Sequence, residues 1–135
     1  MKIKFTHLLI VALLISLIHF WALQAGLYER GAQIDIPLHF LAGIFLGLSG
    51  LWIFQKKQNL FGNPSGALLS AALIGFVLFW SVIWEIFEFS FRTFAPQWSA
   101  LQFYSPTVPD LLSDLFFGLL GGIIIASIFI LRQKI

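Results

Sequence analysis

The chain has 135 residues, of which 59% are hydrophobic and 10% charged, with a mean hydropathy of +0.94. A soluble domain of this length has too much surface to hide so much apolar material, which excludes a soluble globular enzyme and a disordered segment. A net charge of +2 is too small for a phosphate-backbone partner, so no nucleic acid is expected, and the absence of cysteine excludes disulfides, thiolate metal sites and cysteine nucleophiles.

Four apolar stretches, at about 5–25, 37–54, 66–91 and 109–131, approach or exceed the roughly 20 helical residues needed to cross a bilayer. The expected fold is an all-α integral membrane protein, a four-transmembrane-helix bundle forming one membrane domain over 1–135. The runs lack the alternation of membrane strands. Lys2 and Lys4 ahead of an apolar run have the look of a signal peptide. The run continues through His19, Phe20 and Trp21, and the cleavage site after Ala25 would place Leu23 at −3, so a retained span is expected.

The connectors are 26–36, 55–64 and 92–108. Lys2, Lys4, Lys56, Lys57, Arg132 and Lys134 fall on one side of this arrangement, and only Arg30 and Arg92 on the other. By the excess of basic residues in cytoplasmic loops, both termini are expected to be cytoplasmic. All six carboxylates (Glu29, Asp35, Glu85, Glu88, Asp110, Asp114) then lie toward the outer side, with His19 and His39. Trp21, Tyr28, Trp98 and Tyr104 suit an outer aromatic belt, Trp52 and Phe61 an inner one. The 92–108 connector, with Pro96, Pro106, Trp98, Phe103 and Tyr104, reads as a partial lid in the outer interface.

A charge inside a span costs about 2.5–3.5 kcal/mol on insertion scales, and here the charges are patterned. On the third span Ser81, Glu85, Glu88 and Arg92 make one stripe at steps of four, three and four. Asp110 and Asp114 are one turn apart on the fourth, with Gly118 and Gly121 near that face. Asp35 and His39 are four apart on the second, followed by Gly43, Gly47 and Gly50, and Ala12, Ser16 and His19 form a small-and-polar stripe on the first. His19, His39, Glu85 and Asp114 would each sit roughly 5–10 Å inside the outer helix ends, at one level. The small residues at 43, 47, 118, 121 and 122 would allow close backbone approach below them. The expectation is a polar pocket in the outer leaflet.

Asp35 and Asp110 lie beside Pro37 and Pro109, where acidic residues also favour a helix start. Glu88 and Arg92 suit a plain i,i+4 ion pair, and His19 a helix–helix hydrogen bond. Glu85 and Asp114 are deeper and away from helix starts, which makes them the strongest functional candidates.

Asp35-x3-His39-Phe40, Glu85-x2-Glu88-x3-Arg92 and Asp110-x3-Asp114-x3-Gly118, in that order, resemble the VanZ-like family and its YjdF-type relatives, small multi-span bacterial membrane proteins. The likeness covers roughly 35–122. Ile36 stands where that family commonly has Lys, Glu88 where it has Gln, and Asp114 where it has Asn; the acidic replacements are closer to the YjdF-type branch. The resemblance implies the bacterial cytoplasmic (inner) membrane and a cell-envelope role, VanZ being associated with low-level lipoglycopeptide resistance. It carries over motif positions and no catalytic role.

Carboxylates with histidine suit a hard divalent cation able to bridge to a phosphate. His39, Glu85, Glu88 and Asp114 are the candidate metal ligands. Glu85 or Asp114 is the candidate general base, with His39 as proton donor, and Asp35, Glu88, Arg92 and Asp110 are candidate ligand-binding residues, Arg92 for a phosphate. Whether the chain is an enzyme is left open by its residues. The expected partners are membrane lipids, with a homo-oligomer or an envelope protein as further candidates. The competing readings are a small ion or proton transporter and an assembly protein whose polar cluster only fixes helix packing.

Overall fold

The computed structural model describes residues 2–28, 33–94 and 107–133, apart from the side chains of Arg92 and Gln133. Five helices follow in order: α1 (Phe5–Gln24), α2 (Asp35–Lys56), the single-turn α3 (Gln58–Phe61), α4 (Gly66–Phe94) and α5 (Val108–Gln133). No strand occurs among the described residues. The four long helices are each long and apolar enough to cross a membrane.

The helix ends differ from the sequence expectation for local reasons. α2 begins two residues before Pro37, because proline is tolerated in a first turn where its missing N–H has no partner to lose. The connector at 55–64 contains α3. α4 is capped by Ser65, whose Oγ accepts from the Leu68 N–H at 3.2 Å, and α5 by Thr107, whose Oγ1 accepts from the Asp110 N–H at 3.3 Å. α1 stops at Gly26, which adopts φ 62°; the Gly26 N–H donates to the Leu23 carbonyl and the Leu27 N–H to the Ala22 carbonyl. This pair of bonds closes the helix and turns the chain back. Glu29, Arg30, Trp98, Tyr104 and the partial-lid reading of the last connector fall outside the described residues.

Lipid tails are as apolar as leucine, so nothing drives the apolar faces of these helices inward. Leu9, Ile10, Leu13, Leu17 and Phe20 of α1 and Phe79, Trp80, Ile86, Phe87 and Phe89 of α4 stay exposed. The edge of α1 turned inward runs through Leu8, Ala12, Ile15, His19 and Ala22. Ser16 is exposed and donates to the Ala12 carbonyl at 2.9 Å, so the stripe read from Ala12, Ser16 and His19 is not the packing edge. Ser49, Ser70 and Thr93 also donate to the carbonyl four residues back, which satisfies each hydroxyl without a second helix.

α2 lies against α1, α4 and α5, and its contact with α5 is the most extensive. The glycines make it so. A Cβ on Gly43 would run into the Gly118 carbonyl, and one on Gly121 would run into the Phe40 carbonyl and lie 2.9 Å from the Ile44 nitrogen. Toward the end of the bundle that holds the N-terminal residues, Leu51, Leu69, Leu73, Ile125, Ala126 and Phe129 join Ile3 and Leu8 in a buried apolar core. The Ile3 N–H donates to Gln55 Oε1 at 2.9 Å, which ties the start of the chain to the end of α2.

Gly43→Ala and Gly121→Ala should each destabilise the detergent-solubilised protein by about 1–3 kcal/mol, the usual range for overpacking. Gly75, with open space where its Cβ would be, should tolerate alanine without loss. Thermal unfolding by differential scanning fluorimetry checks this, and equal losses at all three positions would contradict the close crossing.

Candidate functional site

Beyond Ser81, α4 turns almost its whole circumference outward: Val82, Ile83, Trp84, Ile86, Phe87 and Phe89 are exposed. Glu85 is only 4% exposed and Glu88 is half-buried, so the stripe expected from the 4-3 spacing is the inward one. Asp110 and Asp114 precede Gly118 on one face of α5, and Asp35 and His39 precede Gly43 on one face of α2. The Gly43–Gly118 crossing lies one turn below His39 and Asp114 and so brings these two side chains together.

His39 is the centre of the arrangement. Its Nδ1 is 3.8 Å from Glu85 Oε1 and its Nε2 is 3.8 Å from Asp114 Oδ2. These separations allow ion pairing but are too long for hydrogen bonds. Both oxygens of Glu85 and Oδ1 of Asp114 are buried with no hydrogen-bond partner. That is a costly condition for a carboxylate, since its desolvation is uncompensated. Glu88 takes a hydrogen bond from the Trp84 side chain.

Six of the seven residues expected at the site are thus gathered: Asp35, His39, Glu85, Glu88, Asp110 and Asp114. They fall into two groups. His39, Glu85 and Glu88 offer donor atoms within 4.8 Å of one another, and so do Asp35, Asp110 and Asp114. The four-residue metal set read from the sequence is divided between them, with Asp114 in the second group. Arg92 lies in α4 one turn past Glu88, and its side chain is outside the described residues. The donors are five carboxylates and one imidazole, an oxygen-rich set that fits a hard divalent cation.

His19 does not join this cluster. Its Nδ1 is 2.7 Å from Tyr28 Oη, with the two rings edge to face. Tyr28 reaches it because Gly26 reverses the chain, a role not apparent from its place in an aromatic belt. Burial pushes the Tyr28 phenol up to about 12, with help from the negative charges of Asp35 and Glu88.

A groove of about 350 Å³ opens between α4 and α5, lined by Val82, Glu85, Ile86, Phe89 and, across it, Thr107, Val108, Leu111 and Leu115. Glu85 belongs both to this groove and to the His39 cluster. Glu85 apart, the sequence does not single out the groove residues. The one available signal was the 82-86-89 and 108-111-115 spacing beside the acidic stripes.

A family model described as a predicted membrane protein, DUF2238, matches residues 1–134. An uncharacterized protein of Thermotoga maritima is 32% identical over 107 residues, which are 79% of this chain and 52% of that protein, so the chain spans about half of that relative's length. No solved structure matches.

Because the folded-state value of Tyr28 lies above the free phenol's value near 10, its share of stability is complete below pH 10 and is lost as pH rises through about 12. Tyrosinate absorbance should therefore include a late-rising component near pH 12 that Tyr28→Phe removes. A Tyr28→Phe titration curve with that component intact would contradict the half-buried His19–Tyr28 pair.

Proposed function

The chain belongs to the DUF2238 family of predicted membrane proteins, and we propose that it holds the polar head group of a cell-envelope amphiphile at the His39 cluster, with the hydrocarbon chain in the α4–α5 groove. The observation that carries this reading is Glu85. It is buried with both oxygens unpartnered, and it lines an apolar groove open at the side of the bundle. A ligand satisfying both features has an apolar tail joined to a polar or metal-bridged head. Membrane lipids meet that description and surround the protein.

In this reading Asp35, Glu88, Arg92 and Asp110 hold the head group. Glu85 or Asp114 serves as base and His39 as proton donor for any chemistry on it, in keeping with a VanZ-like role in the envelope of a bacterium. The polar end faces outward, both termini being cytoplasmic in the inner membrane, as the distribution of Lys and Arg favours.

Two features weigh against the competing readings. Groups that serve only to pack helices bond one another, whereas Glu85 and Asp114 keep unpartnered oxygens. A proton or ion path would need polar groups through the other half of the bundle, and the described core there is Leu51, Leu69, Leu73, Ile125, Ala126 and Phe129. His7, the ionisable group at that end of α1, accepts the Lys4 backbone N–H at 3.2 Å and so caps the helix.

In phosphatidylglycerol vesicles bearing a diazirine on the acyl chain, labelling should concentrate on Ile86, Leu111 and Leu115 and fall several-fold in Leu111→Trp, which fills the groove. Labelling no stronger there than on the exposed face of α1 overturns the reading. Orientation has its own check, since the chain contains no cysteine. In intact spheroplasts an impermeant maleimide should label Ser99→Cys at once and Asn59→Cys only after permeabilisation; the reverse pattern would turn the polar end to the cytoplasm.

A further inference from the structure

The two donor groups lie at opposite edges of one imidazole ring. His39 Nδ1 faces Glu85, with Glu88 in the same group, and Nε2 faces Asp114, which groups with Asp35 and Asp110. The ring nitrogens point away from each other, so an ion held at one is not within reach of a ligand facing the other. Within each group the donor atoms lie inside 4.8 Å. Oxygens ligating one cation at about 2.1–2.5 Å can be no farther apart than about 5 Å, so each group has the span of a single site.

Glu85 and Asp114, one from each group, are each 4% exposed, and three of their four oxygens have no hydrogen-bond partner. Five carboxylates converge at an apolar bundle end. One dication would offset two of these charges and leave three, while two dications would offset four. A carboxylate left uncompensated in such surroundings costs several kcal/mol or must take up a proton, and a second ion relieves that condition in the proton's place.

We propose that the polar end is a two-cation centre. One hard divalent cation of the magnesium or manganese class is held by His39, Glu85 and Glu88. A second is held by Asp35, Asp110 and Asp114. The centre deepens the head-group reading, because a pair of dications is a strong binding site for phosphate oxygens. Its formation depends on the two groups of donors and needs no lipid.

The test is Mn²⁺ binding to the chelator-treated full chain in dodecyl maltoside, counted by electron paramagnetic resonance of the free ion. Wild type should take up two Mn²⁺ per chain. The double variant Glu85→Gln/Glu88→Gln should keep one, and Asp110→Asn/Asp114→Asn should also keep one. Should either double variant lose its monodisperse profile, the half-buried single variants Glu88→Gln and Asp35→Asn replace it. Each should then weaken one of the two binding steps about tenfold and leave the other unchanged. One ion per chain in wild type, no ion, or loss of both ions in a monodisperse double variant overturns the two-cation centre. Because lipid labelling is read separately, loss of the groove labelling with two ions still bound would remove the head-group reading and keep the centre.

Discussion

The polar end of this protein depends on how closely the backbones of α2 and α5 approach. Where Gly43 faces the Gly118 carbonyl and Gly121 faces the Phe40 carbonyl, there is no room for a side chain. In water such a contact would be one of many ways to bury apolar surface. In a bilayer, where burial of leucine gains little, close backbone packing is itself a main source of helix association. The crossing lies directly beneath His39 and Asp114, so the contact that joins the helices also fixes the distance between those two groups.

Around that crossing the bundle is divided by chemistry. One end is closed by apolar side chains, and the buried Ser70 hydroxyl there is taken up by the Gly66 carbonyl. At the other, the groups most expensive to desolvate are collected on three helices, and both oxygens of Glu85 and Oδ1 of Asp114 have no hydrogen-bond partner. The hydroxyls of Ser16, Ser49, Ser70 and Thr93 show what satisfaction looks like here, each bonded within its own helix. Glu85 and Asp114 have no such local solution, since their acceptor oxygens need donors or cations and the intrahelical N–H groups are already used. A cluster maintained under those terms is better suited to meeting a ligand than to stabilising the fold.

Much of this was legible in the residues. Span length and composition mark the four long helices, and the steps between Ser81, Glu85 and Glu88 identify the inward face of α4, because helical periodicity alone decides which side chains share a face. The glycines on α2 and α5 announce a close crossing. Other features were hidden because they depend on how one helix is rotated against another. Nothing in the spacing says that Asp114 meets Nε2 of His39 while Glu85 meets Nδ1, so a single four-ligand set was the natural reading. Depth alone sets His19 level with the cluster, and it is the turn at Gly26 that brings Tyr28 to it instead. The α4–α5 groove is a gap between apolar side chains, and apolar residues in a membrane helix give little warning of which will line one.

The position of Asp110 and Asp114 on α5, after Glu85 and Glu88 in the chain, has a consequence for how the protein is made. Helices enter the bilayer in the order of synthesis, so α4 arrives with Glu85 and Glu88 before α5 exists to face them. His39 is already in the membrane on α2 and can meet Glu85 at that stage. The full cluster, and the glycine crossing beneath it, wait for α5. Until then the nascent chain holds two glutamates in an incomplete bundle, where insertion is least favourable. Synthesis of α5, rather than insertion of α2 or α4, is the step that closes the site.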